Sequence, residues 1–389
     1  MKIKNQNFLK KKNQSLVLDM ILEQGPISRA EIAKQASMSP TSASRIVASL
    51  EEKCLIQEVS NDDAAIGRKA TYFTPNKDAI ISIGVQIDRN QIRIGFMDFI
   101  GTFIALESYD FRAVSPDEAV TFIGEKIEEI KKAKQIPSSK IVGICVGLPG
   151  LIENKIRVVK FSAQFNWSNV LLGQMLEDET GIEVVIDNDL NLKAFGEYML
   201  DPEIEDEDMT MIGFGSGVGS ALISKGKIFR GKANFSGEIG HTVVDPYGLY
   251  CPCGNSGCIQ TYIAEQFLIE EASKAKPINS IEELLDEAKK GEKWAINIID
   301  KAVTYAAITI NNVICIYNPD IVVLTGSLIE NHPEIKKRVL EKCEHQIWSP
   351  AMNTFTLQAS KIGEDSVVIG AALKVRRNFI ENIPISKEV

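Results

Sequence analysis

Residues 237–260 constrain the chain more than any other stretch. They read Gly237-Glu238-Ile239-Gly240-His241, then Cys251-Pro252-Cys253-Gly254, then Gly257-Cys258. One histidine and three thiolates are a preferred donor set for tetrahedral zinc, and four protein ligands leave no open position, so such a site is structural rather than hydrolytic. Cys-x-Cys with a third Cys five residues on lets one loop wrap an ion, and the flanking glycines permit the wrapping. The chain has only three His, and one of them falls here. The pattern therefore assigns zinc to His241, Cys251, Cys253 and Cys258; the alternative is a set of reduced thiols near a surface loop. Seven cysteines in all, an odd number in a long chain, argue against a disulfide framework.

At 389 residues with 44% apolar side chains, the chain has material for two or three domains with sizeable cores. No run of 18 or more apolar residues marks a membrane span. The basic, polar N-terminus lacks the apolar core of a signal peptide, and a cytoplasmic protein is expected. Charge is uneven. Residues 1–78 carry 12 Lys/Arg against 9 Asp/Glu, whereas the whole chain is at −9. A nucleic-acid surface, if the chain has one, belongs in that first segment.

The first 76 residues have the punctuation of three short helices and a hairpin. Residues 15–24 place apolar side chains at helical spacing and stop at Gly25-Pro26. Ser28 with Glu31 forms a capping box for a second helix to about Ala36. Ser39 is a good N-cap followed by Pro40 at the first helical position, and the third helix continues to about Lys53. Ala43, Ile46, Val47 and Leu50 form its apolar stripe, while Thr41, Ser42, Ser44 and Arg45 lie on the other side near its N-terminal end. Hydroxyls and one Arg there suit a recognition helix in a major groove. Residues 55–59 and 70–74 read as a hairpin whose tip holds Arg68 and Lys69, placed to reach the DNA backbone or minor groove. The segment is read as a winged helix-turn-helix, with contacts from Ser39, Thr41, Ser42, Ser44, Arg45, Arg68 and Lys69. A helical dimerisation module is the competing reading.

Beyond Pro75 the pattern alternates. Strands are expected at 80–87, 91–97, 101–106, 141–146, 183–186, 209–214, 218–224 and 320–324. Helices are expected near 116–133, 189–200, 261–273, 293–317, 331–347 and 366–378. That is an α/β domain. Gly147-Leu148-Pro149-Gly150 follows a strand end, where α/β folds place ligands. The run Gly213 to Gly219 joins two strands and reads equally as a phosphate loop or a tight hairpin.

Four motifs together, GEIGH at 237–241, CPCGNSGC at 251–258, DNDLN at 187–191 and the preceding winged helix, resemble the ROK family of repressors, open reading frames and sugar kinases. The resemblance covers essentially the whole chain and is closer to the xylose- and N-acetylglucosamine-repressor branch. It implies a two-lobed α/β domain of the actin/hexokinase (ribonuclease H-like) type over 77–389, after a DNA-binding domain over 1–76. Lobe one would span about 77–200 plus the C-terminal helix at about 365–389, and lobe two about 201–364, with sugar in the cleft between them. The family's sugar ligands match Asn188, Asp189, Glu238 and His241, and Asp189 matches the kinases' general base. His241 would then serve zinc through one ring nitrogen and sugar through the other. Asp189 reads equally as a helix cap.

Two departures bear on activity. The family's kinases carry Asp-x-Gly-Gly-Thr after the first strand; here the stretch is Gln86-Ile87-Asp88-Arg89-Asn90. An amide replaces the organising carboxylate, and charged side chains replace both glycines. Phosphoryl transfer rests on positioning and charge stabilisation, so little or no kinase activity is expected and Asp189 would be vestigial. The usual sugar-binding Glu after the last cysteine is Gln260, and Gln164 stands near a usual Asn before Trp167. The resemblance thus implies a sugar-responsive repressor of carbohydrate-metabolism genes, binding a pseudo-palindromic operator as a homodimer or homotetramer, with no membrane partner. The alternatives are an ATP-dependent sugar kinase with an accessory DNA-binding domain, and an activator or a regulator acting through another protein.

Overall fold

The computed structural model describes residues 2–60, 71–112, 114–204 and 207–384. The chain divides into two compact units, Met1–Asp187 with Val367–Val389, and Asn188–Ser366.

The first unit begins with α1 (Lys2–Gln24), β1 (Ile27–Ser28), α2 (Arg29–Gln35), α3 (Pro40–Glu52), β2 (Ile56–Ser60) and β3 (Thr71–Pro75). Local chemistry sets the helix starts. Ser28 and Glu31 complete their capping box reciprocally, and Ser39 accepts from the Ser42 N–H ahead of Pro40. β2 and β3 pair antiparallel, and β1 adds to β3. This is a winged helix. α1 starts well before residue 15, because Lys, Asn and Gln favour or tolerate helix without leaving an apolar stripe to read.

The unit continues with β4 (Ile81–Asp88), β5 (Gln91–Asp98), β6 (Phe103–Asp110), α4 (Pro116–Ala133), β7 (Ile141–Leu148), β8 (Leu151–Glu153), β9 (Val158–Ser162), β10 (Trp167–Val170), α5 (Leu172–Thr180) and β11 (Val184–Asn188). The main sheet has the order β11-β7-β4-β5-β6. Its first three strands are antiparallel neighbours, and β7 lies parallel to β4.

The second unit holds α6 (Asp189–Leu200), β12 (Met209–Phe214), β13 (Val218–Ser224), β14 (Lys227–Phe229), α7 (Glu265–Ser273), α8 (Ile281–Lys289), α9 (Lys293–Tyr317), β15 (Ile321–Thr325), α10 (Ser327–Glu330), α11 (Pro333–Gln346) and β16 (Thr356–Ala359). Its sheet order, β14-β13-β12-β15-β16, repeats the topology of the first: three antiparallel strands, then parallel additions beside the first strand. This duplicated sheet defines the actin/hexokinase type. Among the described residues α9 is the one helix long and apolar enough to cross a membrane. Its apolar face, including Ala302, Ala306 and Ile310, instead lies in the core of this unit.

The chain returns to the first unit through α12 (Ser366–Asn382). Gly84 and Gly95, cross-strand partners on β4 and β5, floor its seat: a Cβ on Gly84 would lie 2.2 Å from the Val368 carbonyl oxygen. The far end of α12 enters the core of the winged helix. Ile380 and Ile383 pack with Val17, Leu18, Ile21 and Phe73, and so do Ile80 and Phe99. Ser15 Oγ donates to the Ile380 carbonyl at 3.0 Å, and Arg377 Nη1 donates to Asp19 Oδ2 at 2.8 Å. The winged helix therefore shares one core with the sheet-bearing part of its unit, rather than hanging on a linker.

Burial raises the Asp19 carboxyl above its usual value despite Arg377, while Asp19 raises Arg377 against the opposing effect of burial. An acid with a raised folded pKa contributes stability at low pH that is lost as pH rises through that pKa. The pair thus sits near break-even, and removing only one partner is the costly change. Arg377→Met is expected to destabilise the first unit by about 1–3 kcal/mol, more at pH 8 than at pH 5.5. Asp19→Asn combined with Arg377→Met should cost less than Arg377→Met alone. Urea unfolding at the two pH values checks both statements.

Candidate functional site

Three regions present chemistry. On α3, Ala43, Val47 and Leu50 are buried, and Thr41, Ser44, Arg45 and Ala48 face solvent. Ser39 and Ser42 are partly spent on the helix start: Ser39 Oγ accepts from the Ser42 N–H at 3.2 Å and lies 2.9 Å from Ser42 Oγ. The outward face is thus Thr41, Ser44, Arg45 and Ala48. Ala48 was not among the residues read from the sequence, although it falls four positions after Ser44 on the same helical face. Arg68 and Lys69 lie outside the described residues.

The second region is the 237–260 loop, and its shape depends on backbone freedom. Gly257 has φ +69°, and a Cβ there would lie 1.6 Å from the Asp245 carbonyl oxygen. Gly237, at φ +97°, would place a Cβ 1.9 Å from the Ser220 carbonyl oxygen. Isolated bridges join Val243 to Cys258 and Tyr250 to Ser256, so the loop folds back on itself. His241, Cys251, Cys253 and Cys258 bring their donor atoms within 4.8 Å of one another, and they could hold a metal ion. Cys251 Sγ is 3.7 Å from His241 Nδ1, and Cys253 Sγ is 3.5 Å from Cys258 Sγ. Cys251 and Cys258 are buried, and Cys253 is exposed. The Asn255 N–H holds the Cys253 thiol down at about 7, and burial, reinforced by Cys253, pushes Cys258 up to about 12.

The sugar-ligand candidates converge on β13. Asn188 is the N-cap of α6, its Oδ1 accepting from the Asn191 N–H. Asp189 opens the first turn, with Oδ1 2.9 Å from its neighbour's Leu190 N–H. Leu190 packs against Gly213 and Gly219. From the other direction, Ser220 N donates to the Gly237 carbonyl at 2.7 Å, and Gly240 lies against the Val218 carbonyl. Residues 218–220 thus carry both the Asn188-Asp189 turn and the Glu238–His241 segment. Surrounding protein raises the Glu238 carboxyl above its usual value, and His241 acts in the opposite direction. With Nδ1 turned to Cys251, His241 has Nε2 for a second partner. Gln260 Nε2 donates to Cys251 Sγ at 3.2 Å, which no reading of the sequence anticipated. The Gly213–Gly219 run is a tight hairpin: the ladder runs to Phe214 and Val218, and Gly215 N donates to the Gly217 carbonyl.

The third region is the turn between β4 and β5. Asp88 pairs with Gln91 at the end of the ladder, so Arg89 and Asn90 alone form the turn. Asp88 Oδ1 accepts the Arg89 N–H at 2.7 Å and Gln164 Nε2 at 2.6 Å. A carboxylate therefore occupies the backbone donor at this turn and ties it to the β9–β10 connection.

The ROK family model matches residues 82–378, and a MarR family model matches residues 11–63. The chain belongs to the ROK family. It is 28% identical to the xylose repressor of Bacillus spizizenii, over 98% of this chain and 99% of that protein. Among solved structures it is similar to a ROK family transcriptional regulator described as a homologue of the Escherichia coli MLC protein, with a TM-score of 0.83, 23% identity and coverage of 96% and 97% of the two chains. The ROK hexokinase of Thermus thermophilus matches with a TM-score of 0.67 at 22% identity, covering 97% of that enzyme but 76% of this chain.

Proposed function

We propose that this protein is a sugar-responsive DNA-binding transcriptional repressor of carbohydrate-metabolism genes, with a kinase-like domain that serves as effector sensor. The observation that carries the reading is the winged helix built into the same core as α12 of the kinase-like domain. A sugar kinase has no use for that union, and the hexokinase match covers only 76% of this chain. The xylose repressor of Bacillus spizizenii, by contrast, matches over 98% of this chain and 99% of its own length.

In this reading Thr41, Ser44 and Arg45 face bases and phosphates, Ser39 and Ser42 fix the helix end at the backbone, and Arg68 and Lys69 would hold the flanking DNA. Two copies bind a pseudo-palindromic operator, as two-fold symmetry requires. The effector is a sugar or sugar derivative whose hydroxyls meet Asn188, Asp189, Glu238 and His241, with Gln260 beside them. It shifts the DNA-binding equilibrium only through different affinities for two arrangements of the protein.

The metal is zinc. A tetrahedron with Zn–S near 2.3 Å separates its sulfurs by about 3.8 Å, close to the 3.5 Å between Cys253 and Cys258. Zinc would be held by His241 Nδ1 and the three thiolates, and bound there it supplies a rigid closed centre and no catalytic position. His241, fixed through Nδ1, then aims Nε2 at the effector. Phosphoryl transfer is not supported, because the β4–β5 turn offers the Asp88 carboxylate where a nucleotide phosphate would need donors.

The test is a binding titration on operator DNA selected by the protein itself from a random pool. Arg45→Ala is expected to cost about 1–3 kcal/mol in operator affinity and to relax sequence preference at one position. An Arg45→Ala protein with unchanged affinity and preference removes α3 from the interface.

A further inference from the structure

Gln260 stands where the family pattern has a sugar-binding Glu, yet in the structure it turns to the metal loop. It is half-buried, and its Nε2 lies 3.2 Å from Sγ of the fully buried Cys251. Its Oε1 faces Gly240, at 3.2 Å from where a side chain there would begin. The direction of the bond follows from donor chemistry. A metal-bound thiolate only accepts, and an amide offers N–H where a carboxylate at neutral pH offers none. A Glu in this position would face a thiolate with a second negative charge, and buried like charges repel strongly. The exchange of Glu for Gln is therefore what allows this side chain to serve the sulfur.

We propose that Gln260 is a positioning residue of the metal centre, fixing Cys251 Sγ through an N–H···S bond while leaving only its oxygen for the effector. The proposal rests on the zinc reading above. Gln260 links the two sites on one short segment. Cys251 faces His241, and the amide that holds Cys251 lies against Gly240, next to His241. Metal and sugar are thus served by adjacent atoms of one network, and outer-shell partners of this kind set ligand orientation and metal affinity.

Cobalt(II) substitution tests this in the full-length protein, because thiolate-to-metal charge-transfer bands respond to hydrogen bonds on the sulfur. The wild-type protein is expected to take up one equivalent with the spectrum of a tetrahedral site of three sulfurs and one nitrogen. Gln260→Met and Gln260→Glu should both shift the charge-transfer bands to longer wavelength. Zinc affinity, measured by chelator competition, should fall about 10–100-fold, and further in Gln260→Glu. Gln260→Met with wild-type bands and wild-type zinc affinity overturns the assignment of Gln260 and leaves the metal site standing. A wild-type chain that takes up neither cobalt nor zinc overturns the metal reading, and this proposal with it.

Discussion

Replacing Cys251 with serine is expected to abolish stoichiometric metal binding and to unfold the 237–260 loop. Cys251 is fully buried. Its Sγ faces His241 Nδ1, and its N–H donates to the Asn255 carbonyl at 2.8 Å. A serine hydroxyl is a shorter, harder donor that does not ionise at neutral pH, so one of four ligands is lost. The loss should exceed the roughly 10–100-fold that removal of an outer-shell partner costs, because the binding free energy of a structural metal is folding free energy. Ile239, Val244 and Ile259 anchor the ends of this segment in the core of the second unit, but the stretch between them that carries the cysteines is held mainly by isolated bridges and turn bonds, with Gly254 and Gly257 at positive φ, which favours the unfolded chain. Metal analysis should find one zinc per wild-type chain and none in Cys251→Ser. A chelator should lower the melting temperature of the wild type to that of the variant and leave the variant unmoved. Since Glu238 and His241 ride on the same loop, the variant should also lose its response to sugar while retaining operator binding. A wild-type protein whose melting is indifferent to chelator contradicts a structural metal. The exposed Cys253 gives a second check: Cys253→Ser should weaken zinc binding and the response to sugar, and leave operator binding in place.

Gly84→Ala should be the most damaging single methyl in the first unit. The added carbon would sit 2.2 Å from the Val368 carbonyl oxygen and 2.9 Å from the Ala372 nitrogen. Both are backbone atoms of α12, so no rotamer change relieves the overlap. The helix must lift from the sheet, at a cost of about 3 kcal/mol, the upper part of the usual overpacking range. Because the other end of α12 lies in the core of the winged helix, the strain should reach the DNA-binding segment. The expected result is a lower midpoint in urea for the first unit, together with weaker operator affinity. Gly95→Ala, which meets only the ends of the Phe103 and Val368 side chains, should be milder. Equal effects of the two substitutions would mean that α12 does not rest on β4 as described.

Most of the architecture is legible where periodicity is strong and caps are unambiguous. α4, α6 and α9 coincide with the spans read from the sequence, since Ser115 and Asn188 cap the first two with their own side chains and a long apolar stripe marks the third. The small sheet β8–β10 was not read. Its strands are three to five residues long, too short for alternation to separate them from loop. α8 lies outside the expected helices, although Ser280 and Glu283 mark its start and Ile281, Leu284 and Leu285 give it a buried face at helical spacing. The ambiguous glycine run at 213–219 is decided by strand pairing, which no local pattern encodes. The same limit applies to the site. The four candidate metal ligands are close in sequence and are readable as a set. Gln260 bonding Cys251 and Gln164 bonding Asp88 depend on where a half-turn and two loops come to rest.

In the proposed function, sugar is sensed and not phosphorylated. Operator affinity and ADP release measured side by side, with pure protein, ATP and a panel of pentoses, hexoses, amino sugars and their phosphates, test it most directly. At least one compound is expected to weaken operator binding by about tenfold or more, equivalent to a coupling of about 1.4 kcal/mol, while ADP release stays at background for all of them. Steady sugar-dependent ADP release by a protein whose DNA binding ignores every compound would contradict it.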